Sequence, residues 1–82
     1  MIIRYAYKLG WGYIAEVYKN GNLVESVARG DCWSDMSKFE TGDMPVRALK
    51  ESTVHLISLL RKQYNIEAPA VFDASLLPPE YR

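Results

Sequence analysis

The stretch RGDCWSD, from Arg29 to Asp35, contains the residues that come nearest to a reactive centre. It holds the only cysteine, Cys32, beside one of the two tryptophans and between two aspartates. A cysteine acts as a nucleophile through its thiolate, which needs a neighbouring base or positive charge. Two nearby carboxylates favour the protonated thiol instead. The sequence therefore predicts that Cys32 is not a nucleophile.

Histidine and glutamate side chains are the remaining candidates for acid–base or metal chemistry. His55, the only histidine, projects from a predicted helix on the side opposite its apolar residues, near Glu51. No nucleophile stands at a recognisable spacing from it, and one cysteine with one histidine does not make a zinc site. Glu16 and Glu25 form a carboxylate pair in one strand register, but a metal needs more ligands than two. We therefore expect no enzyme, no cofactor and no metal site.

An acidic segment that contains two aromatic residues follows the predicted strands. The residues that we predict to contact a partner are Asp31, Trp33, Asp35, Phe39, Glu40 and Asp43. Aromatic anchors surrounded by carboxylates are typical of a protein interface, particularly with a basic partner. In the alternative interpretation, Trp33 and Phe39 close the core, and the acidic residues favour the N-terminus of the following helix. The residue types fit both interpretations.

A second candidate surface is the outer, basic face of the predicted helix, with Arg47, Arg61 and Lys62. Such a face can contact phosphate or an acidic protein, although a charged helix face is more often only solvated. Ten basic and ten acidic residues cancel over the whole chain. Because binding along a phosphate backbone depends on excess positive charge, we favour a protein or ribonucleoprotein partner over nucleic acid alone.

Three strands are predicted before the acidic segment. They run from Ile2 to Lys8, from Tyr13 to Lys19 and from Leu23 to Ala28. Asn20-Gly21 supplies the positive φ angles that a tight hairpin turn requires. A two-residue turn places Glu16 opposite Glu25, whereas a three-residue loop places it opposite Ser26 and avoids the repulsion. We favour the three-residue loop.

Helical periodicity begins at Pro45 and ends at Tyr64. The apolar stripe consists of Val46, Leu49, Thr53, Leu56, Ile57, Leu60 and Tyr64. Proline suits the first turn of a helix, and Asn65 can adopt the left-handed conformation that ends one. Beyond it, we predict a short edge strand near Ala70 to Phe72 and an extended tail over residues 73–82.

These elements predict an α+β fold, a two-layer sandwich in which a three-stranded antiparallel meander, with a possible fourth short strand, packs against one long helix. The 82 residues are expected to form a single domain. No apolar stretch approaches the roughly 20 residues that cross a bilayer. A lone cysteine and the lack of a signal-peptide pattern predict a cytoplasmic protein. Self-association through a strand edge or an aromatic face is also possible.

The hairpin GYIAEVYKNGNLVESV, followed by the helix PVRALKESTVHLISLLRK, resembles small phage-encoded proteins that inhibit host defence, of the anti-CRISPR kind. The resemblance lies in size, neutral charge and arrangement rather than in a motif, so it assigns no residue. It implies a non-enzymatic protein that occupies a partner-binding or nucleic-acid-binding surface of a nuclease complex in the host cytoplasm. The acidic segment would then mimic phosphate.

A second resemblance is to HicB-like antitoxins. It rests on the strand GYIAEV, Gly12 to Val17, and on the pair Ala48-Leu49 within the helix. The chain differs from that family in the length and composition of the segment between strands and helix. Both resemblances imply a small protein that binds and silences another macromolecule.

Overall fold

The computed structural model describes residues 1–30 and 44–82. The strands are β1 (Ile2–Lys8), β2 (Gly12–Lys19), β3 (Asn22–Gly30) and β4 (Val71–Phe72), and the helix α1 spans Met44–Tyr64. The strand order is β3-β2-β1-β4, and α1 packs on β1 and β2. The predicted α+β sandwich of a sheet and one helix is therefore confirmed. The sheet has four strands, however, and it is mixed rather than wholly antiparallel, because β4 runs parallel to β1.

The second hairpin turn contains two residues, Asn20 and Gly21, with φ angles of 53° and 81°. Both lie in the left-handed region that Asn-Gly was expected to supply. The predicted three-residue loop is wrong, yet Glu16 does stand opposite Ser26. A β-bulge between β2 and β3 adds one residue, Val24, on the β3 side and shifts the register. The bulge, rather than the turn, keeps the two glutamates apart.

The first hairpin and the helix boundaries agree with the sequence signals. Trp11 N–H donates to the Lys8 carbonyl at 3.0 Å and closes the turn from β1 to β2. At the end of α1, Asn65 has a φ of 54°, and Ile66 N–H donates to the Arg61 carbonyl at 2.9 Å. A left-handed residue followed by this backward hydrogen bond is the usual way in which a helix ends.

The core lies between α1 and the face of the sheet that the helix covers. Its buried apolar side chains are Ile3, Ala15, Val17, Leu49, Ile57, Leu60 and Ile66. Thr53 is the one buried polar residue among those described, and its hydroxyl donates to the Leu49 carbonyl at 2.7 Å. Leu56 and Tyr64 are half-buried at the border of the core. From Leu49 to Tyr64 the predicted stripe of the helix is thus the face that packs, and the side chain of Val46 lies outside the described residues.

The segment after β4 is not extended, so the prediction of an extended tail over residues 73–82 is wrong. It forms two short 3-10 turns, Ala74–Leu76 and Pro79–Tyr81. The Asp73 carboxylate caps the first turn by accepting from Ser75 N–H at 3.0 Å. The Arg82 guanidinium donates to the Leu77 and Ser75 carbonyls, each at 2.8 Å. The Ser75 carbonyl is one that Pro78 and Pro79, which lack an N–H, cannot satisfy in a helical pattern, so the Arg82 side chain takes that place.

No helix in the described ranges is both long and apolar enough to cross a membrane.

Candidate partner-binding site

The six residues predicted to contact a partner all lie outside the described residues. They are Asp31, Trp33, Asp35, Phe39, Glu40 and Asp43. Their role therefore stays a prediction. The described residues next to them in sequence are the end of β3 at Gly30 and the start of α1 at Met44.

An open groove of about 450 Å³ runs between α1 and the adjoining ends of β2 and β3. We call it the helix–strand groove, and its lining residues are Tyr13, Arg29, Ala48, Glu51, Ser52, His55, Leu56 and Leu59. Tyr13 and Arg29 stand directly opposite each other in the β2–β3 register and so point to the same face of the sheet. The helical residues recur at intervals of three or four, which places them along one side of α1.

The helix–strand groove combines exposed apolar surface with charges of both signs. Leu59 is 51% exposed, although leucine is a residue that folding usually buries. Arg29 and Glu51 supply one positive and one negative charge, and His55 is exposed beside them. The Arg29 guanidinium donates to the carbonyl of the neighbouring Ala28 at 3.1 Å. Apolar contact area with a few polar groups is the composition of a protein interface.

The predicted basic helix face is not gathered into one cluster. Arg61 donates from Nε to the Ile66 carbonyl at 3.3 Å and from Nη2 to the Glu67 carbonyl at 2.9 Å, so it stabilises the end of α1. Arg47 and Lys62 are exposed, but a helix rises 1.5 Å per residue, so they stand roughly 20 Å apart along α1. Neighbouring phosphates of one strand lie much closer together than this.

The glutamates that were considered as a carboxylate pair point to opposite faces of the sheet, because Glu25 stands opposite Val17 and not opposite Glu16. Glu16 accepts from the Tyr18 hydroxyl at 2.7 Å, and this bond raises the pKa of Tyr18 above its ordinary value of 10.0. Glu25 accepts from the Tyr64 hydroxyl at 2.5 Å, and the pKa of Tyr64 is raised in the same way. Each glutamate therefore anchors a tyrosine.

Metal ligands are not grouped in the part of the chain that the structure describes, where no three His, Cys, Asp or Glu side chains come together.

The strand tyrosines divide between the two faces of the sheet. Tyr5 and Tyr7 pack against Phe72 of β4, with ring centroids 5.5 and 5.6 Å from the Phe72 ring. On the other face, the Arg4 guanidinium lies over the Tyr18 ring at 5.2 Å and also pairs with Asp73 at 3.3 Å. Phe72 remains 48% exposed at the edge of the sheet, so some aromatic surface is accessible.

Comparison of the chain with protein-family models, with curated proteins and with solved structures gives no match in any of the three.

Proposed function

We propose that this chain is a small, non-enzymatic binding protein that inhibits or modulates a macromolecular partner by occupying part of the partner's surface. The helix–strand groove is the observation that carries the proposal. Among the described residues it is an open groove, and its lining combines a leucine that is 51% exposed with residues of opposite charge. A shape of this kind suits a side chain or segment of a partner more than a small substrate, for which sites are concave and bury most of the ligand.

The charge of the groove favours a protein or ribonucleoprotein partner over nucleic acid alone. Arg29 is balanced by Glu51. Arg47 stands roughly 20 Å along α1 from Lys62, and the neighbouring Arg61 is bonded to carbonyls at the end of the helix. Affinity for a phosphate backbone grows with the number of cations that contact it, and such binding weakens steeply with salt. An interface centred on apolar groups weakens less as salt rises.

The kind of partner follows from the acidic segment and from the resemblance to phage-encoded inhibitors. Asp31 and Asp43 stand next in sequence to β3 and α1, two of the elements that line the groove. Nuclease complexes expose basic surfaces that bind nucleic acid, and carboxylates complement such surfaces. These features support the proposal that the chain inhibits a host-defence nuclease complex in the host cytoplasm.

The test is an affinity capture from host lysate with the wild-type chain and two matched variants. Leu59→Asp places a charge in the groove, and Val54→Asp places one at a helix position that does not line it. Both side chains are more than half exposed, at 51% and 62%, so neither change removes core packing. Capture is done at low and high salt, with and without nuclease treatment.

A discrete protein that survives nuclease and high salt, is retained by Val54→Asp and is lost with Leu59→Asp supports the proposal. The nuclease activity of the captured complex is then measured with increasing amounts of the chain. We expect this activity to be fully inhibited when the chain saturates the complex. Recovery of nucleic acid that disappears at high salt would instead point to the nucleic-acid-binding or antitoxin-like alternative. Equal loss of the partner in both variants would contradict the role of the groove.

A further inference from the structure

The two edges of the sheet differ greatly in length. On the β4 side, the edge strand has only two residues. On the other side, β3 has nine residues, and within residues 1–30 and 44–82 it pairs with β2 alone. A long strand with unpaired N–H and C=O groups along one side is a template for pairing with another strand. Proteins usually shorten, bend or charge such an edge.

Edge strand β3 carries two of these devices, and together they leave one regular stretch. The bulge at Val24 interrupts the strand near its hairpin end. From Glu25 to Gly30 the register with β2 continues without interruption. Glu25 and Arg29 are the charged residues of this stretch, and they carry opposite charges. These charges oppose pairing with an arbitrary strand, but not with a strand of matching pattern.

The matching strand is a second copy of β3. Residues that stand directly opposite each other in an antiparallel pair point to the same face, so a symmetric pair is centred on a single residue. Centring on Val27 places Glu25 opposite Arg29 of the second copy, twice by symmetry, and Ser26 opposite Ala28. Centring on Ser26 places Glu25 opposite the uncharged Val27 and leaves Arg29 opposite a residue outside the regular stretch. Centring on Ala28 places Arg29 opposite Val27 and leaves Glu25 opposite a residue outside that stretch. Centring on Glu25 places two glutamates opposite each other, which is destabilising.

None of the side chains at positions 25, 27 and 29 is fully buried. Glu25 and Val27 are half-buried, and Arg29 is exposed. Among the described residues, Glu25 accepts from Tyr64 at 2.5 Å and from Gln63 at 3.4 Å, and both bonds reach the same oxygen, Oε1. A carboxylate offers two oxygens and a guanidinium five N–H donors, so both groups have capacity for a partner across the strands.

We propose that two copies of this protein associate through β3 in antiparallel fashion, centred on Val27, with Glu25 of each copy paired to Arg29 of the other. The product is a continuous eight-stranded sheet with both helices on one face, because the symmetry axis is perpendicular to the sheet. This association needs only a second copy of the chain. Arg29 also lines the helix–strand groove, so the dimer is tested with the purified chain alone, apart from any capture of a partner.

The experiment is sedimentation velocity of the whole chain over a concentration series, with charge-reversal variants. Arg29→Glu leaves two glutamates opposite each other across the interface, and Glu25→Arg leaves two arginines opposite each other. We expect each variant alone to raise the dimer dissociation constant roughly ten-fold to a hundred-fold, since both symmetric pairs become repulsive. Mixing the two variants restores both pairs, and we expect a mixed dimer close to wild-type affinity.

Two controls separate this interface from folding and from net charge. Thermal melting of each variant checks that the fold persists, because Glu25 also accepts the Tyr64 hydrogen bond. Lys50→Glu reverses an exposed charge on α1, away from β3, and should leave the dimer unchanged. A wild-type chain that stays monomeric at every concentration overturns the proposal. So does a dimer that Arg29→Glu does not weaken, or one that Lys50→Glu weakens equally.

Discussion

Replacing Gly21 with alanine isolates the conformational contribution of the second hairpin turn. Gly21 has a φ of 81°, and a Cβ atom added there meets no described atom within 4 Å. The cost of the change is therefore backbone conformation rather than a steric clash. Gly30 offers a matched comparison, because an added Cβ is equally unobstructed there by described atoms, and Gly30 is not among the residues with positive φ.

The magnitudes follow from two opposing effects. A left-handed conformation costs a residue other than glycine roughly 1–2 kcal/mol. Removing a glycine also reduces the conformational freedom of the unfolded chain, which stabilises the protein by about 0.4–1 kcal/mol where the backbone suits alanine. Gly21→Ala should therefore lower the free energy of unfolding by about 1 kcal/mol. Gly30→Ala should raise it by about 0.5 kcal/mol, because only the second effect applies.

Thermal unfolding followed by circular dichroism measures both changes. A domain of this size loses about 4–8 °C in Tm for each kcal/mol, so Gly21→Ala should melt about 4–8 °C below the wild type and Gly30→Ala about 2–4 °C above it. Gly21→Asn serves as a further control, since asparagine tolerates the left-handed conformation and should recover most of the loss. Equal Tm values for Gly21→Ala and Gly30→Ala would refute the reasoning.

Three other predictions concern the core, the cap and the acidic segment. Leu49 is 1% exposed, so Leu49→Ala should lower the free energy of unfolding, measured with urea, by about 2–5 kcal/mol. Val54 is 62% exposed, so the control Val54→Ala should stay within about 0.5 kcal/mol of wild type. Equal effects of the two variants would contradict the described packing of the helix. The hydrogen bonds from Ser75 hold the pKa of Asp73 below its ordinary value of 3.8, so its charged form stabilises the fold above that value and the benefit disappears as pH falls through the folded pKa. Asp73→Asn should accordingly melt below the wild type at neutral pH, with a gap that closes in strong acid; a gap independent of pH would show that the charge is not responsible. Trp33→Ala should abolish partner capture without changing Tm, whereas a Tm lower by several degrees would place Trp33 in the core.

Local signals in the sequence predicted those elements whose cause is local. Asn20 and Gly21 form the turn because few other residues tolerate positive φ at both positions. Asn65 ends the helix for the same reason. The helical stripe was predictable because one helix needs one apolar side, and Leu49 and Leu60 are indeed buried.

The observed fold differs from the predicted fold where residues that are distant in sequence come into contact. Two residues, Val71 and Phe72, are too few for an alternating pattern, and nothing local specifies that they run parallel to β1. The bulge at Val24 also lacks a compositional signal. It places Glu25 on the helical side of the sheet, where the hydroxyl of Tyr64, 39 residues further on, reaches it. A contact between residues so far apart in sequence can be identified only once the helix has been placed against the sheet.

The candidate site was predictable in part. Both His55 and Glu51 were expected on the outer side of the helix; both are exposed, and both line the helix–strand groove. Arg29 lies across the helix–strand groove from them. In the sequence, Arg29 was considered only as the start of the stretch that leads into the acidic segment, so its position near the helix was not predicted. The groove exists because the β2–β3 register turns Arg29 and Tyr13 toward the helix, which is a property of the sheet rather than of any short motif.

We expect the parallel pair of β1 and β4 to form late in folding. The two hairpins join strands that are neighbours in sequence, whereas Arg4 and Asp73, which meet beside the β1–β4 pair, are 69 residues apart. Contacts between distant residues require more chain entropy to be lost before they form, and they tend to form late. During synthesis the sheet cannot be completed until Phe72 has left the ribosome. Until then the outer edge of β1 is open, so the nascent chain passes through a stage in which it is more prone to aggregation than the finished fold.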